Sequence, residues 1–135
     1  GVKLAIVTSN SSRTIRRWFS IHRMSPLLDA IVGRDSLLAL KPSPAMISRA
    51  LKRCGAHAKH SAFVGDADSD YQAAAALGVR FFGVAFSPNL RDKLAAAGAE
   101  QIFSSPAALG IHLKLLDPPK IASVNNAEPR APERS

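Results

Sequence analysis

The chain has a single cysteine, Cys54, among 135 residues. One cysteine excludes an internal disulfide framework and any cysteine-rich zinc site, and it fits a reducing compartment such as the cytoplasm. No apolar run approaches the roughly 20 residues needed to cross a bilayer, and no charged-then-apolar leader stands at the start, so no membrane partner is expected. The first residue is not Met: Gly1 leads straight into an apolar run, as in a chain cut from something longer. Aromatic residues make up only 6% of the chain, and of these only Trp18 and Phe19 lie among the basic residues of the first half. That half is strongly cationic, with eleven Lys or Arg against two acids in residues 1–60, in a chain of net charge +8. Nucleic-acid surfaces interleave cations with stacking rings. Here the cations are dispersed, and Arg13, Arg16 and Arg17 share one helical face that reads as solvated. A nucleic-acid partner is therefore not expected, and a preceding acidic segment would offset the charge. His57 and His60 have no further ligand clustered beside them and read as surface residues.

What is present is a chain 47% hydrophobic, long enough for one domain with a real core. Lys3 to Thr8 reads as a buried parallel strand: a short apolar run closed by polar residues. Asn10, Ser11 and Ser12 are N-cap candidates for a helix to about Arg23, with Ile15, Trp18, Phe19 and His22 as its inward face. Asp29 to Gly33 is a short strand. Ser43 and Pro44 start a helix as N-cap and first residue, and Gly55 stops it. Ser61 to Gly65 is the next strand, followed by an acidic loop and an Ala-rich helix ending at Gly78. Val79 to Phe86, Asn89 to Ala97, Gln101 to Phe103 and Pro106 to Leu116 read as strand, helix, edge strand and helix. This alternation predicts an α/β fold, a doubly wound parallel sheet with helices on both faces. It occupies residues 1–116. Residues 117–135, where Pro118, Pro119, Pro129 and Pro132 interleave with charged and small residues, read as a disordered tail.

In such sheets ligands bind beyond the carboxyl ends of the strands, and three groups sit there. Thr8, Ser9 and Asn10 join a strand to a helix, where a hydroxyl and backbone N–H groups suit an anion or serve as a plain cap. Lys41 precedes two prolines, Pro42 and Pro44, that stiffen the chain and present its ammonium from a fixed point; alone, it could equally be a surface lysine. Asp66, Asp68 and Asp70 follow a hydrophobic strand. Three carboxylates in five residues call for a cation, and hard oxygens suit magnesium; as first-turn acids they also favour a helix dipole. An EF-hand is excluded, because its sixth position would be Tyr71 rather than Gly and its twelfth Leu77 rather than Glu.

The order of these motifs is more specific than any of them singly. A strand ending Val-Thr-Ser-Asn, a Lys-Pro-x-Pro before a helix, and strand-Gly-Asp-x-x-x-Asp before an Ala-rich helix closed by Leu77-Gly78-Val79 resemble motifs II, III and IV of the haloacid dehalogenase (HAD) superfamily, in its phosphoglycolate phosphatase-like branch. The segment Asp29 to Gly33 also fits what precedes the lysine there. The resemblance covers residues 1–116 and implies a Rossmannoid sheet. It implies that Thr8 would hydrogen-bond a transferring phosphoryl group, with Ser9 and Asn10 beside it. Lys41 would neutralise charge, Asp66 would bind Mg2+, and Asp70 would orient metal waters or a ligand. Family members open with a strand ending Asp-x-Asp, whose first carboxylate is the nucleophile and whose second is the general acid/base. No such strand precedes Thr8, nor is the cap that helps choose the substrate present. In the family that strand lies between the one ending at Thr8 and the one ending at Asp66, so here the two lose a common neighbour, and their exposed backbone groups must pair with each other, with a partner or with water.

The resemblance thus implies Mg2+-dependent phosphomonoester hydrolysis of a small phosphorylated metabolite through an aspartyl phosphate. This chain is expected to be inactive alone. It would depend on a missing N-terminal segment or a protein partner to complete the sheet. The alternative is a non-catalytic module that binds an anion or accepts a strand from another protein. A signalling receiver domain, which also places a Thr or Ser ahead of a Lys-Pro, is disfavoured: two strong strands and an acidic motif follow the lysine.

Overall fold

The computed structural model describes residues 1–36 and 42–118. Five strands alternate with five helices: β1 (Ala5–Val7), α1 (Ser12–Ile21), β2 (Ala30–Val32), α2 (Ala45–Cys54), β3 (Ala62–Gly65), α3 (Asp68–Ala76), β4 (Arg80–Val84), α4 (Pro88–Ala97), β5 (Ile102–Phe103) and α5 (Pro106–His112). The architecture is the expected α/β arrangement with helices on both faces. Several element ends fall one or more residues inside the predicted ones, as fraying termini do, whereas β3, α4 and β5 close at Gly65, Ala97 and Phe103 as predicted and α4 opens one residue earlier, at Pro88. The strands close at Val7, Val32 and Val84 rather than at Thr8, Gly33 and Phe86. One further ladder bond, from Thr8 N to Val32 O at 3.0 Å, carries the first pair slightly beyond β1. The proposed tail at 117–135 falls, from residue 119 on, outside the described residues.

Local chemistry sets the helix ends. Ser87 and Ser105 cap α4 and α5 by accepting from the amides of Leu90 and Ala108, each with a proline next in line, where a missing N–H does no harm. The regular run of α2 begins at Ala45, a residue later than predicted, yet the Ser43 hydroxyl still accepts from the Ala45 amide at 3.3 Å. Gly55 ends α2 at φ 60°, a left-handed conformation that favours glycine.

The parallel strands fall into two sheets, β1–β2 and β3–β4–β5. In the first, Ala5, Ile6 and Val7 face Ala30, Ile31 and Val32. Its start is pinned by Asp29, whose carboxylate accepts from Leu4 N at 2.8 Å and Lys3 Nζ at 3.4 Å. In the second, Phe63 pairs with Phe81 and Gly83 with Ile102. No backbone pairing joins β1 to β3 among the described residues. The two strands expected to lose a common neighbour do not collapse onto each other.

On one face, helices α2, α3 and α4 cover both sheets. Ile47, Ala73, Ala74, Phe81, Ala85 and Leu94 form one cluster there, joined by Val7 and Phe63, and Val32, Met46 and Ala50 form another. Met46, Leu94 and Val32 are fully buried, each contributing about 1.5–3 kcal/mol by removal from water. Ala73 and Ala74 let α3 lie close to the strands. On the opposite face, α5 packs on Phe82, Val84 and Phe103, while α1 packs on β2. Between them β3 is bare: Phe63 points to the covered side, and Val64, its neighbour on the other side, is 49% exposed.

Helix α1 departs most from expectation. It buries no residue fully, and it ends at Ile21. Ile15 and Phe19 are half-buried, but Trp18 and His22, predicted to face inward, are exposed and stack on each other with ring centroids 4.0 Å apart. The 3.6-residue period locates an apolar stripe but not what covers it, and the surface that would cover Trp18 is bare.

Candidate functional site

The carboxyl ends of β1 and β3 open into one cavity of about 350 Å³, lined by Val7, Thr8, Ser9, Phe63, Val64, Gly65, Asp66, Asp70, Val84, Phe86 and Pro106. Two motifs 58 positions apart, at Thr8 and Asp66, therefore share a wall. Of the residues singled out by sequence, Thr8, Ser9, Asp66 and Asp70 line this cavity, whereas Asn10 and Asp68 do not. Asp68 accepts from the Ser69 amide at 3.0 Å, a local turn contact. Lys41 lies outside the described residues.

The Thr8 hydroxyl oxygen accepts from Asn10 N at 3.1 Å. That bond fixes the oxygen and leaves its proton available for an acceptor in the cavity. Asp66 stands exposed immediately after β3. Asp70 is 4% exposed, and its Oδ2 accepts from Ala67 N at 3.2 Å, tying the third position of α3 back to the residue before the helix. Gly65 makes this approach possible. A Cβ there would stand 2.6 Å from both Asp70 Cβ and Oδ2. The glycine of the Gly-Asp-x-x-x-Asp motif is thus the floor on which Asp70 rests.

The sequence reading missed Asp35. Its carboxylate accepts from Ser12 N at 2.7 Å, Ser12 Oγ at 2.7 Å and Ser11 Oγ at 3.4 Å. It therefore occupies the start of α1, and the Ser11 hydroxyl takes the Arg13 amide at 3.2 Å. Some of the amides that could have met an anion are committed to this cap. Arg34 N donates to Asn10 O at 2.9 Å, so the turn after β2 clamps the Thr8 loop from outside. A carboxylate two residues past a strand-closing Gly33, with serines awaiting a cap, was the available signal.

The Ser12 amide and hydroxyl hold the Asp35 carboxyl down to about 2, from an ordinary 3.8. The depressed value means that the folded chain favours the ionised form. Its stabilisation is complete above about pH 4 and lost as pH falls through about 2. In melting curves at stepped pH, the gap between the native chain and Asp35→Asn should close over that window; parallel curves would show that Asp35 does not anchor α1.

A larger cleft, of about 550 Å³, lies at the opposite end of β2, lined by Arg16, Phe19, Leu28, Asp29 and Arg53 among others. There Arg53 Nη1 donates to Ile31 O at 2.6 Å, capping the outer edge of the sheet, while Asp29 is engaged by Lys3 and Leu4. It lies away from the carboxyl ends of the strands and holds none of the motif residues. Among the described residues no three His, Cys, Asp or Glu side chains converge to hold a metal. The smaller cavity offers two carboxylates, part of a coordination shell.

Comparison with known proteins bears on this pairing of Thr8 with Asp66. The profile of the family described as Haloacid dehalogenase-like hydrolase matches residues 1–84. The chain belongs to the haloacid dehalogenase-like hydrolase family. Within it the chain stands with the phosphoglycolate phosphatase-like branch. It is 35% identical over 89 residues to the phosphoglycolate phosphatase of Pseudomonas syringae pv. syringae, covering 66% of this chain and 33% of that enzyme. It is 26% identical over 109 residues to the phosphoglycolate phosphatase of Yersinia pestis, covering 81% and 47%. The chain thus spans about a third to a half of these curated relatives. A Thermotoga maritima protein assigned as a beta-phosphoglucomutase superposes with TM-score 0.74 at 26% identity, over 85% of this HAD-like chain and 54% of that one. A Bacteroides fragilis protein assigned as a haloacid dehalogenase-like hydrolase gives 0.75 at 26%, over 81% and 52%. Coverage this wide must include both half-sheets, so their mutual placement is that of the HAD-like fold. No helix of the described residues is long and apolar enough to cross a membrane.

Proposed function

We propose that this chain is the phosphate- and Mg2+-holding part of a phosphomonoesterase that acts through an aspartyl phosphate. The observation that carries this reading is the convergence of Thr8, Ser9, Asp66 and Asp70 on one cavity between β1 and β3. The Thr8 hydroxyl donates to a phosphoryl oxygen, with Ser9 beside it and Asn10 bracing the Thr8 oxygen. Lys41 neutralises charge on the phosphoryl group. Asp66, exposed at its strand end, fits as a direct ligand of Mg2+, and Asp70, buried and braced by Ala67, fits as the group that orients it. Bound there, the metal would offset negative charge on the phosphoryl oxygens. The nucleophile and the general acid/base are carboxylates of an Asp-x-Asp strand seated between β1 and β3. One attacks phosphorus and the other protonates the departing alcohol oxygen. The substrate class is a small phosphorylated metabolite, and phosphoglycolate, for which the relatives are named, is the first to test. The compartment we assign is the cytoplasm, where a lone thiol stays reduced.

The 135 residues alone should show no hydrolysis of p-nitrophenyl phosphate above buffer with Mg2+ present, because the attacking carboxylate is not among them. Magnesium should bind at millimolar affinity or weaker, about 4 kcal/mol or less, since this chain brings Asp66 as its direct ligand and leaves the rest of a six-oxygen octahedral shell to water. Calorimetry should show even this lost in Asp66→Asn. Turnover by the chain alone that disappears in Asp66→Ala, or micromolar binding that survives Asp66→Asn, would refute this reading. A second reading, a non-catalytic module on the same fold, is favoured by the separation of β1 and β3 into two sheets among the described residues. Asp66-dependent turnover once the sheet is completed would separate the two.

A further inference from the structure

The larger cleft, of about 550 Å³, has no part in the function proposed above. It opens at the outer edge of β2, between α1 and the end of α2. Arg16 and Ser20 line it from α1, one turn apart. Of the three arginines on that side of α1, Arg13, Arg16 and Arg17, only Arg16 lines the cleft. Arg53 joins it from the last turn of α2, and Ser25 from the turn that follows α1. Phe19 and Leu28, both half-buried, supply an apolar wall.

The charge in this cleft is one-sided. Its single acid, Asp29, is already engaged, Oδ1 by Lys3 Nζ at 3.4 Å and Oδ2 by Leu4 N at 2.8 Å. Lys3 with Asp29 is the one ion pair among the described residues, so neither arginine of the cleft meets a carboxylate there. Arg53 is held by a backbone oxygen instead. Thr8 N donates to Val32 O across the β1–β2 pair, which turns Val32 inward and its neighbour Ile31 outward. Arg53 Nη1 donates to that outward Ile31 O at 2.6 Å. One N–H fixes the guanidinium in place, and its other donors are left for a ligand. Two like charges that share a cleft raise a positive potential, which apolar walls focus.

We infer that this cleft is a second anion site, separate from the Thr8–Asp66 cavity, and that it takes a small phosphate monoester with a compact apolar body. A phosphoryl group near neutral pH carries close to two negative charges, matching Arg16 and Arg53. Its three terminal oxygens accept from two planar forks and from the Ser20 and Ser25 hydroxyls, a donor set larger than the two oxygens of a carboxylate call for. The carbon part of the ester lies against Phe19 and Leu28. The volume suits a small molecule. A protein strand is the poorer occupant, because Arg53 already holds the carbonyl that pairing with the β2 edge would use.

The probe is phenyl phosphate, titrated by calorimetry into the full 135-residue chain at neutral pH and fixed ionic strength, with inorganic phosphate and benzoate in parallel. Phenyl phosphate should bind at least about fivefold more tightly than either, through its ring and its third oxygen. Arg16→Gln changes an exposed side chain, so the melting temperature of the free chain should stay as it was while affinity falls about tenfold or more. Arg53→Gln should weaken binding comparably, and if it unfolds the chain, Arg16→Gln still decides. Arg17→Gln makes the same charge change on the same helix outside the cleft, and Thr8→Ala alters the other cavity; both should leave the affinity unchanged. Binding lost in Thr8→Ala and kept in Arg16→Gln places the phosphate at the other cavity, which overturns this proposal and supports the proposed function. Equal weakening by Arg16→Gln and Arg17→Gln means diffuse charge attraction and overturns it. So does equal affinity for benzoate or inorganic phosphate, or no heat of binding in the millimolar range.

Discussion

Gly33→Ala is expected to destabilise the chain by about 2–5 kcal/mol, combining overpacking with loss of a helix cap. A Cβ at position 33 would collide with the Ser12 amide nitrogen, and would stand 2.7 Å from Asp35 Oδ1 and 2.8 Å from Asn10 O. All three atoms belong to the clamp that fixes the Thr8 loop. Two of them are backbone atoms and the third, Asp35 Oδ1, is held by the Ser12 amide at 2.7 Å, so the loop must move away and the Asp35 bonds to Ser12 must lengthen. Gly55→Ala is the matched control. Gly55 has φ 60° and nothing within 4 Å of a built Cβ, so that substitution should cost only the backbone strain, about 1–2 kcal/mol. Urea titrations measure both. The two variants also separate by pH. Gly33→Ala should erase the Asp35-dependent fall in stability between about pH 4 and 2, and Gly55→Ala should keep it. A Gly33→Ala protein within about 1 kcal/mol of the native chain, well short of the overpacking range, with its acid profile intact, would show that the clamp has slack.

Gly65→Ala should destabilise by about 2–4 kcal/mol, through overpacking and a lost hydrogen bond to a charged group. The new methyl would sit 2.6 Å from Asp70 Cβ, an atom fixed to the backbone of α3. At 4% exposure Asp70 has little room to turn aside, so α3 itself must retreat and the Ala67 bond breaks. The same movement would separate Asp70 from Asp66, so the weak Mg2+ binding expected of this chain should vanish with it. A double-mutant cycle isolates the contact. An Asp70→Gly background removes the three atoms nearest the new methyl, and there Gly65→Ala should cost less than about 1 kcal/mol, short of the overpacking range. Coupling between neighbours of this kind runs to roughly 0.5–3 kcal/mol. Additive effects would mean that the destabilisation arises elsewhere than at Asp70.

Sequence alone determined the alternation of strands and helices, because apolar runs closed by Ser-Pro starts and glycine stops are local signals. Ser87-Pro88 and Ser105-Pro106 open helices as chain-local capping requires, and Gly55 and Gly98 close them in left-handed conformations. The order Thr8, Lys41, Asp66 likewise pointed to the family, since motif order is a property of the chain. Position 41 lies outside the described residues, so the structure bears only on the other two. Tertiary structure decided what depends on neighbours remote in sequence. The apolar period of α1 predicted Trp18 and His22 inward, but burial needs a covering surface, and on that face nothing lies over β3. Asp35, one of two acids in residues 1–60, had no assigned role until folding brought it to the Ser12 amide, 23 positions away. Gly65 read only as the end of a strand, whereas its smallness is required by Asp70, which returns on the next helix. The partition into two half-sheets had the same origin: each strand carries its own hydrogen-bonding groups, but only the assembled sheets show which strands pair with which.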